Sequence, residues 1–139
     1  MSSAAYSIHH VNIPIADPDR TTEWYGKVFG MRMIPRTVRQ GGAPGVEEVL
    51  LLTHGDFDIH CTIHEGTPPD LKPHHYCVEV VDWDGFMEHL ASLGIETFGY
   101  FERPQNNSKA TYMHDPDGNL VELAWHGDWN HEASPVERG

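Results

Sequence analysis

The chain has 139 residues, 39 % of them hydrophobic and 22 % charged. That length supports one domain with a real core, and no apolar run approaches the roughly 20 residues that span a bilayer. Nine basic residues against 21 acidic ones leave a formal charge of −12, which argues against nucleic acid or an anionic membrane as partner, since both are held by Lys and Arg.

The first residues, Met-Ser-Ser-Ala-Ala, are neither basic nor strongly apolar, so no signal peptide and a cytoplasmic location are expected. Residues 7–16 alternate, with Val11, Ile13 and Ile15 on one face and His10, Asn12 and Pro14 on the other. Pro14 removes a ladder donor and predicts an edge strand. Asp17-Pro18 supplies an N-cap and a proline for the first helical turn. The helix that follows carries an apolar stripe of Trp24, Tyr25, Val28 and Phe29 and ends at Gly30. Strands are predicted at 31–38, 46–53 and 57–64, the last alternating Phe57, Ile59, Cys61 and Ile63 against Asp58, His60, Thr62 and His64.

Residues 65–72 are polar and broken by proline, and read as a linker. A strand at 73–81 then sets Tyr76, Val78 and Val80 against His75, Cys77 and Glu79. Asp82 caps a helix striped by Trp83, Phe86, Met87, Leu90 and Leu93, with Gly94 at its end. Strands follow at 95–102, 109–114 and 119–125, and residues 126–139 read as a polar tail. Between the last two strands, Asp115-Pro-Asp-Gly118 suits a tight turn. Beyond it Val121, Leu123 and Trp125 share a face and Glu122 points the other way. The two cysteines, Cys61 and Cys77, have opposite environments by parity, so no disulfide is expected.

The order βαβββ therefore occurs twice, over about 7–64 and about 73–125, in a single α+β domain. Ile8-His-His-Val opens one half and Pro73-His-His-Tyr the other, with His10 and His75 separated by 65 positions. The last strand of each half offers His60 and Glu122. All four lie opposite the apolar face of their strand, and ligand-type residues at corresponding places of a duplicated unit point to a metal site. His9 and His74 share the apolar parity and read as structural.

On the runs Ile8-His-His-Val-Asn-Ile-Pro-Ile-Ala-Asp-Pro-Asp, Trp24-Tyr-Gly-Lys-Val-Phe-Gly-Met, His75-Tyr-Cys-Val-Glu-Val and Asp115-Pro-Asp-Gly-Asn-Leu-Val-Glu-Leu, the chain resembles the vicinal oxygen chelate superfamily. That superfamily groups glyoxalases, bleomycin-binding proteins, fosfomycin-resistance proteins and extradiol dioxygenases. The resemblance implies two βαβββ repeats forming a cup around a divalent metal bound by His10, His75 and Glu122. It implies a small substrate with vicinal oxygens, and a homodimer whose sites take ligands from both chains. At the His60 position relatives carry either a fourth ligand or a histidine that stands beside the metal without binding it. Tyr112 stands ten residues before Glu122 and His60 fifteen before His75, as in extradiol enzymes. Ring cleavage of a catechol-like substrate on Fe(II), with His60 and Tyr112 catalytic, is therefore the leading expectation. A glyoxalase-like lyase, isomerase or epimerase using Mn, Ni, Co or Zn as Lewis acid comes next, then a fosfomycin-type thiol transferase, then a metal-free binding protein. A histidine that extradiol enzymes carry shortly before the tyrosine is replaced here by the region of Arg103, Gln105 and Asn106.

Overall fold

In a computed structural model, residues 4–5, 7–35 and 48–127 are described. Their elements are β1 (His10–Ile15), α1 (Pro18–Phe29), β2 (Arg32–Met33), β3 (Val49–Thr53), β4 (Asp58–Ile63), β5 (His75–Glu79), α2 (Trp83–Ser92), β6 (Phe98–Arg103), β7 (Ser108–His114) and β8 (Leu120–His126), with one 3-10 turn at Pro104–Asn106. The strands form two four-stranded sheets, β1-β4-β3-β2 and β5-β8-β7-β6. The same permutation appears in both, as the doubled βαβββ order predicts, and the fold is α+β.

The chain divides into two compact units, residues 1–75 with 114–120, and residues 76–113 with 121–139. In the first, β1 runs parallel to β4, with His10 opposite Asp58 and Asn12 opposite His60. β3 lies antiparallel on the other side of β4, so β1 is an edge strand and Pro14 costs no ladder bond there. The core of this unit takes Ile13, Ile15, Leu52, Ile59 and Cys61 from the sheet and Tyr25 and Val28 from α1. The helix starts where the sequence dictates. The Asp17 carboxylate accepts from the Asp19 and Arg20 amides at 3.0 and 3.1 Å, and Pro18 follows in the first turn. Gly30 ends it at φ +70°, a left-handed conformation that favours glycine.

The turn after β7 also belongs to this first unit. Asp115 Oδ2 accepts the Tyr25 hydroxyl at 2.9 Å, and Asn119 Nδ2 donates to the Pro14 carbonyl at 2.9 Å. Asp117 accepts from the Ala16 amide and pairs with Arg20 at 2.7 Å. Burial pushes the Asp115 carboxyl above its ordinary range, although four donors partly offset this.

In the second unit β6 and β7 are antiparallel, with an irregular register between Phe98 and Phe101. Val121 and Leu123 are fully buried on β8, and Glu122 between them is half-buried, as the period of two requires. Several boundaries differ from the sequence reading. β2 covers only Arg32–Met33 of the predicted 31–38, and part of that prediction lies outside the described residues. α2 is capped at Leu93, with Gly94 following at φ +73°. β8 continues into His126, which the sequence assigned to the tail, because Glu79 accepts from both its amide (3.0 Å) and its Nδ1 (2.7 Å). Both cysteines are free. No helix among the described residues is long and apolar enough to cross a membrane.

Candidate metal centre

The β1–β4 pairing sets the first cluster. Parallel strands held in this register put His10 and His60 on the same face of neighbouring strands, and their rings stack with centroids 3.8 Å apart at 18°. His9, one residue before β1, joins them. Its Nδ1 lies 3.0 Å from His10 Nδ1, and its ring meets that of His60 edge-on at 5.9 Å. Parity assigned His9 to the structural side, but the period of two holds only inside a strand, and His9 precedes the first strand residue. Among the described residues, His9, His10 and His60 form the only group of three or more ligand-type side chains whose donor atoms all lie within 4.8 Å of one another.

Asp58 stands behind two of these rings. Its Oδ2 is 3.6 Å from His9 Nε2 and 3.5 Å from His60 Nε2. A hydrogen bond from Thr53 and the two imidazoles hold the Asp58 carboxyl below its ordinary range against its desolvation. Burial and the neighbouring His10 lower the pKa of His60, only partly offset by Asp58. His60 is thus kept neutral, the form in which imidazole donates to a metal. Three nitrogens with a carboxylate behind them suit a divalent cation of the Zn, Co, Ni or Fe kind.

The second unit carries its own cluster. The Tyr112 hydroxyl hydrogen-bonds to Glu122, and desolvation together with this carboxylate raises its pKa. Desolvation, with Glu122 and Glu79 nearby, pushes the Cys77 thiol up to about 12, so it is no nucleophile near neutrality. Tyr112 is set by its neighbours on β6. Its ring stacks with Phe98 and Phe101 at 6.1 and 6.4 Å. Gly99 at φ +69° would place a Cβ 3.0 Å from that ring. Gly99→Ala is therefore expected to cost about 1–2 kcal/mol from the left-handed backbone and to displace Tyr112, readable as a shifted tyrosine absorbance titration.

Of the residues singled out from sequence, His10 and His60 come together in the first unit, and Tyr112 and Glu122 in the second. His75, the first residue of β5, faces the Pro73 carbonyl with Nδ1 at 2.9 Å. His9 and Asp58 were missed as site residues. Asp58 did share the predicted face of His60, but only strand register shows which ring it meets.

The strands form two sheets of the same permutation, and the first carries a histidine group that could hold a metal ion. The chain belongs to the glyoxalase/bleomycin resistance protein/dioxygenase superfamily, whose model matches residues 7–123. It is 26 % identical to lactoylglutathione lyase of Pseudomonas aeruginosa, over 85 % of this chain and 81 % of that protein. Its fold is similar to that of a glyoxalase family protein from Bacillus anthracis (TM-score 0.70, 24 % identity, 91 % of this chain and 99 % of that one). It is also similar to the fosfomycin resistance protein FosX from Listeria monocytogenes (TM-score 0.66, 17 % identity, 87 % and 93 %).

Proposed function

We propose that the chain is a divalent-metal-dependent enzyme that shifts a proton within a small α-hydroxycarbonyl-type substrate, as a lyase or isomerase. The carrying observation is the stacked pair His10–His60 at 3.8 Å. Burial and His10 lower the His60 pKa, toward the neutral form in which an imidazole can ligate, while ring cleavage would use His60 as an acid and base. That favours His60 as a ligand and the Lewis-acid reading over the catechol dioxygenase. The similarity to a lactoylglutathione lyase supports the same choice. So few basic residues against 21 acidic ones favour a neutral or lightly charged adduct over a strongly anionic one.

In this reading His10 and His60 would hold the cation, and His75 and Glu122 are the further ligands that the family resemblance implies, from this chain or from a second copy in a homodimer. Bound there, it would supply polarisation of the substrate's vicinal oxygens. Glu122 does the proton work. A carboxylate has about four acceptor sites, so one oxygen could ligate while the other takes the proton from the hydroxyl-bearing carbon and returns it to the former carbonyl carbon, the hydroxyl proton passing from one vicinal oxygen to the other. Tyr112, held as a donor by its raised pKa, fixes the carboxylate through their hydrogen bond. Solvent-exposed Val81, Tyr100 and Phe98 suit a homodimer, and a cytoplasmic setting fits the two free cysteines.

Metal analysis of protein purified without chelator tests the proposal. We expect about one nickel, cobalt, zinc or manganese per chain, turnover of a 2-oxoaldehyde–thiol adduct that a chelator abolishes and metal restores, and no oxygen uptake. Iron, oxygen uptake and a yellow product from a catechol would replace this reading with ring cleavage on Fe(II).

A further inference from the structure

We infer that Arg103, at the end of β6, sets substrate specificity in the second unit by taking one carboxylate of a substrate whose apolar body lies along Phe98, Phe101 and Tyr112. The inference rests on the proposed function and deepens it, since it names the substrate class as an α-hydroxycarbonyl adduct with an apolar body and a single carboxylate.

Strand register gathers this wall. Phe98 pairs with Tyr112, Phe101 with Ala110 and Arg103 with Ser108. Residues 108, 110 and 112 share a face by the period of two. The register shift between Phe98 and Phe101 returns Phe101 and Arg103 to the face of Phe98, so all three join Tyr112. The Tyr112 ring stacks with Phe98 and Phe101, and the Arg103 guanidinium lies over the Phe101 ring, its Cζ 4.7 Å from the centroid. An arginine held on an aromatic face keeps available the fork of N–H donors that matches a carboxylate.

The charges around it are otherwise matched. Arg20, Lys27 and Lys72 each stand within 3.0 Å of a carboxylate oxygen, and Lys109 lies between the Trp83 and Trp125 rings at 5.3 and 5.1 Å. Half-buried Arg103 makes no ion pair among the described residues. Acidic groups of its own unit have other donors: Glu79 accepts from His126, Glu102 from the Tyr100 hydroxyl and Glu122 from that of Tyr112. In a chain with 21 acidic residues against nine basic ones, a half-buried guanidinium without a carboxylate of its own is a place for an anion from outside. Its charge also reaches the proposed reacting centre. Desolvation first, then Glu122, raises the Tyr112 hydroxyl and the Cys77 thiol, and Arg103 opposes both shifts.

Calorimetric titration of the full metal-loaded chain tests this. The parent is expected to bind 3-(benzylthio)propionate at least about 10-fold more tightly than 3-(benzylthio)propionamide, the size of one hydrogen-bonded charge, and the gap should narrow as salt rises. Arg103→Gln should bind the two probes alike, with the parent's affinity for the amide. Arg103→Lys, which keeps the charge and loses the fork, should retain part of the gap. Equal affinities in the parent, a gap that survives Arg103→Gln or a gap indifferent to salt overturns the inference. If Arg103→Gln binds neither probe, Arg103→Lys and the salt series decide. Turnover separates the inference from the reading it rests on. The phenylglyoxal adduct of 3-mercaptopropionate should be turned over with a lower KM than that of 3-mercaptopropionamide. Turnover of both at equal KM removes the inference and leaves the proposed function standing. A binding gap at Arg103 with turnover of neither adduct keeps the carboxylate site and removes the proposed function.

Discussion

Replacing His60 with alanine is expected to remove bound metal and turnover together, lowering cation affinity by at least about 100-fold, more than the loss of a group that only hydrogen-bonds to a ligand. The side chain is one face of the His10 stack and one corner of the three-imidazole group, so its loss takes away a ligand and the packing that aligns another. Dialysis against a competing chelator followed by metal counting reads the first effect, and initial rates with metal in excess read the second. His60→Gln, whose amide oxygen can still ligate, should recover part of both. Protonation gives an independent check. A proton competes with the cation for each imidazole nitrogen, and the His60 pKa lies below the ordinary 6.5 because of burial and His10. Proton competition at His60 therefore sets in at a lower pH than it would at an ordinary imidazole. A variant that keeps its metal and loses only turnover would instead make His60 an acid–base group and return ring cleavage to first place.

What the sequence could say about this site follows the reach of its periodicities. Alternation inside a strand is a local steric fact, so the outward face of His10, His60 and Glu122 was readable from neighbours two residues away. The duplicated element order was readable for the same reason, each helix bringing its own cap. Two features were not. His9 sits just before the strand, where no period constrains it, and its partners are fixed by the parallel register of β1 on β4, a relation between residues about fifty positions apart. Asp115 read as an ordinary turn residue, since Asp-Pro-Asp-Gly suits a turn in any context. Its role comes from Tyr25, 90 residues earlier, which no local pattern names. Parity finds which side chains share a face, and pairing decides which of them meet.

Asp115→Ala is expected to destabilise the first unit by about 3 kcal/mol or more, since each buried donor left without a partner costs roughly 1–3 kcal/mol. The carboxylate gathers four donors. Oδ2 accepts the Tyr25 hydroxyl and Asn119 Nδ2, and Oδ1 accepts the Asp117 and Asn119 amides, each at 2.9 Å. Tyr25 is fully buried and Asn119 nearly so, so water cannot easily replace what is lost. A midpoint lower by roughly 10 °C is expected for a chain of this size. Tyr25→Phe removes one donor and leaves Asp115 the other three, so it should cost only about 1 kcal/mol. A double-mutant cycle between the two should show coupling. Asp115→Asn separates charge from shape. Because burial raises the Asp115 pKa in the folded chain, the native state holds that proton more tightly than the unfolded state does. Stability from this group is therefore fully present below the ordinary carboxylate range and is lost as pH rises through the raised folded value. Relative to Asp115→Asn, the parent's unfolding free energy should thus fall with rising pH across that window. A difference that rises with pH would mean that the four donors, rather than burial, set the charge state of Asp115, and a flat one that the two cancel.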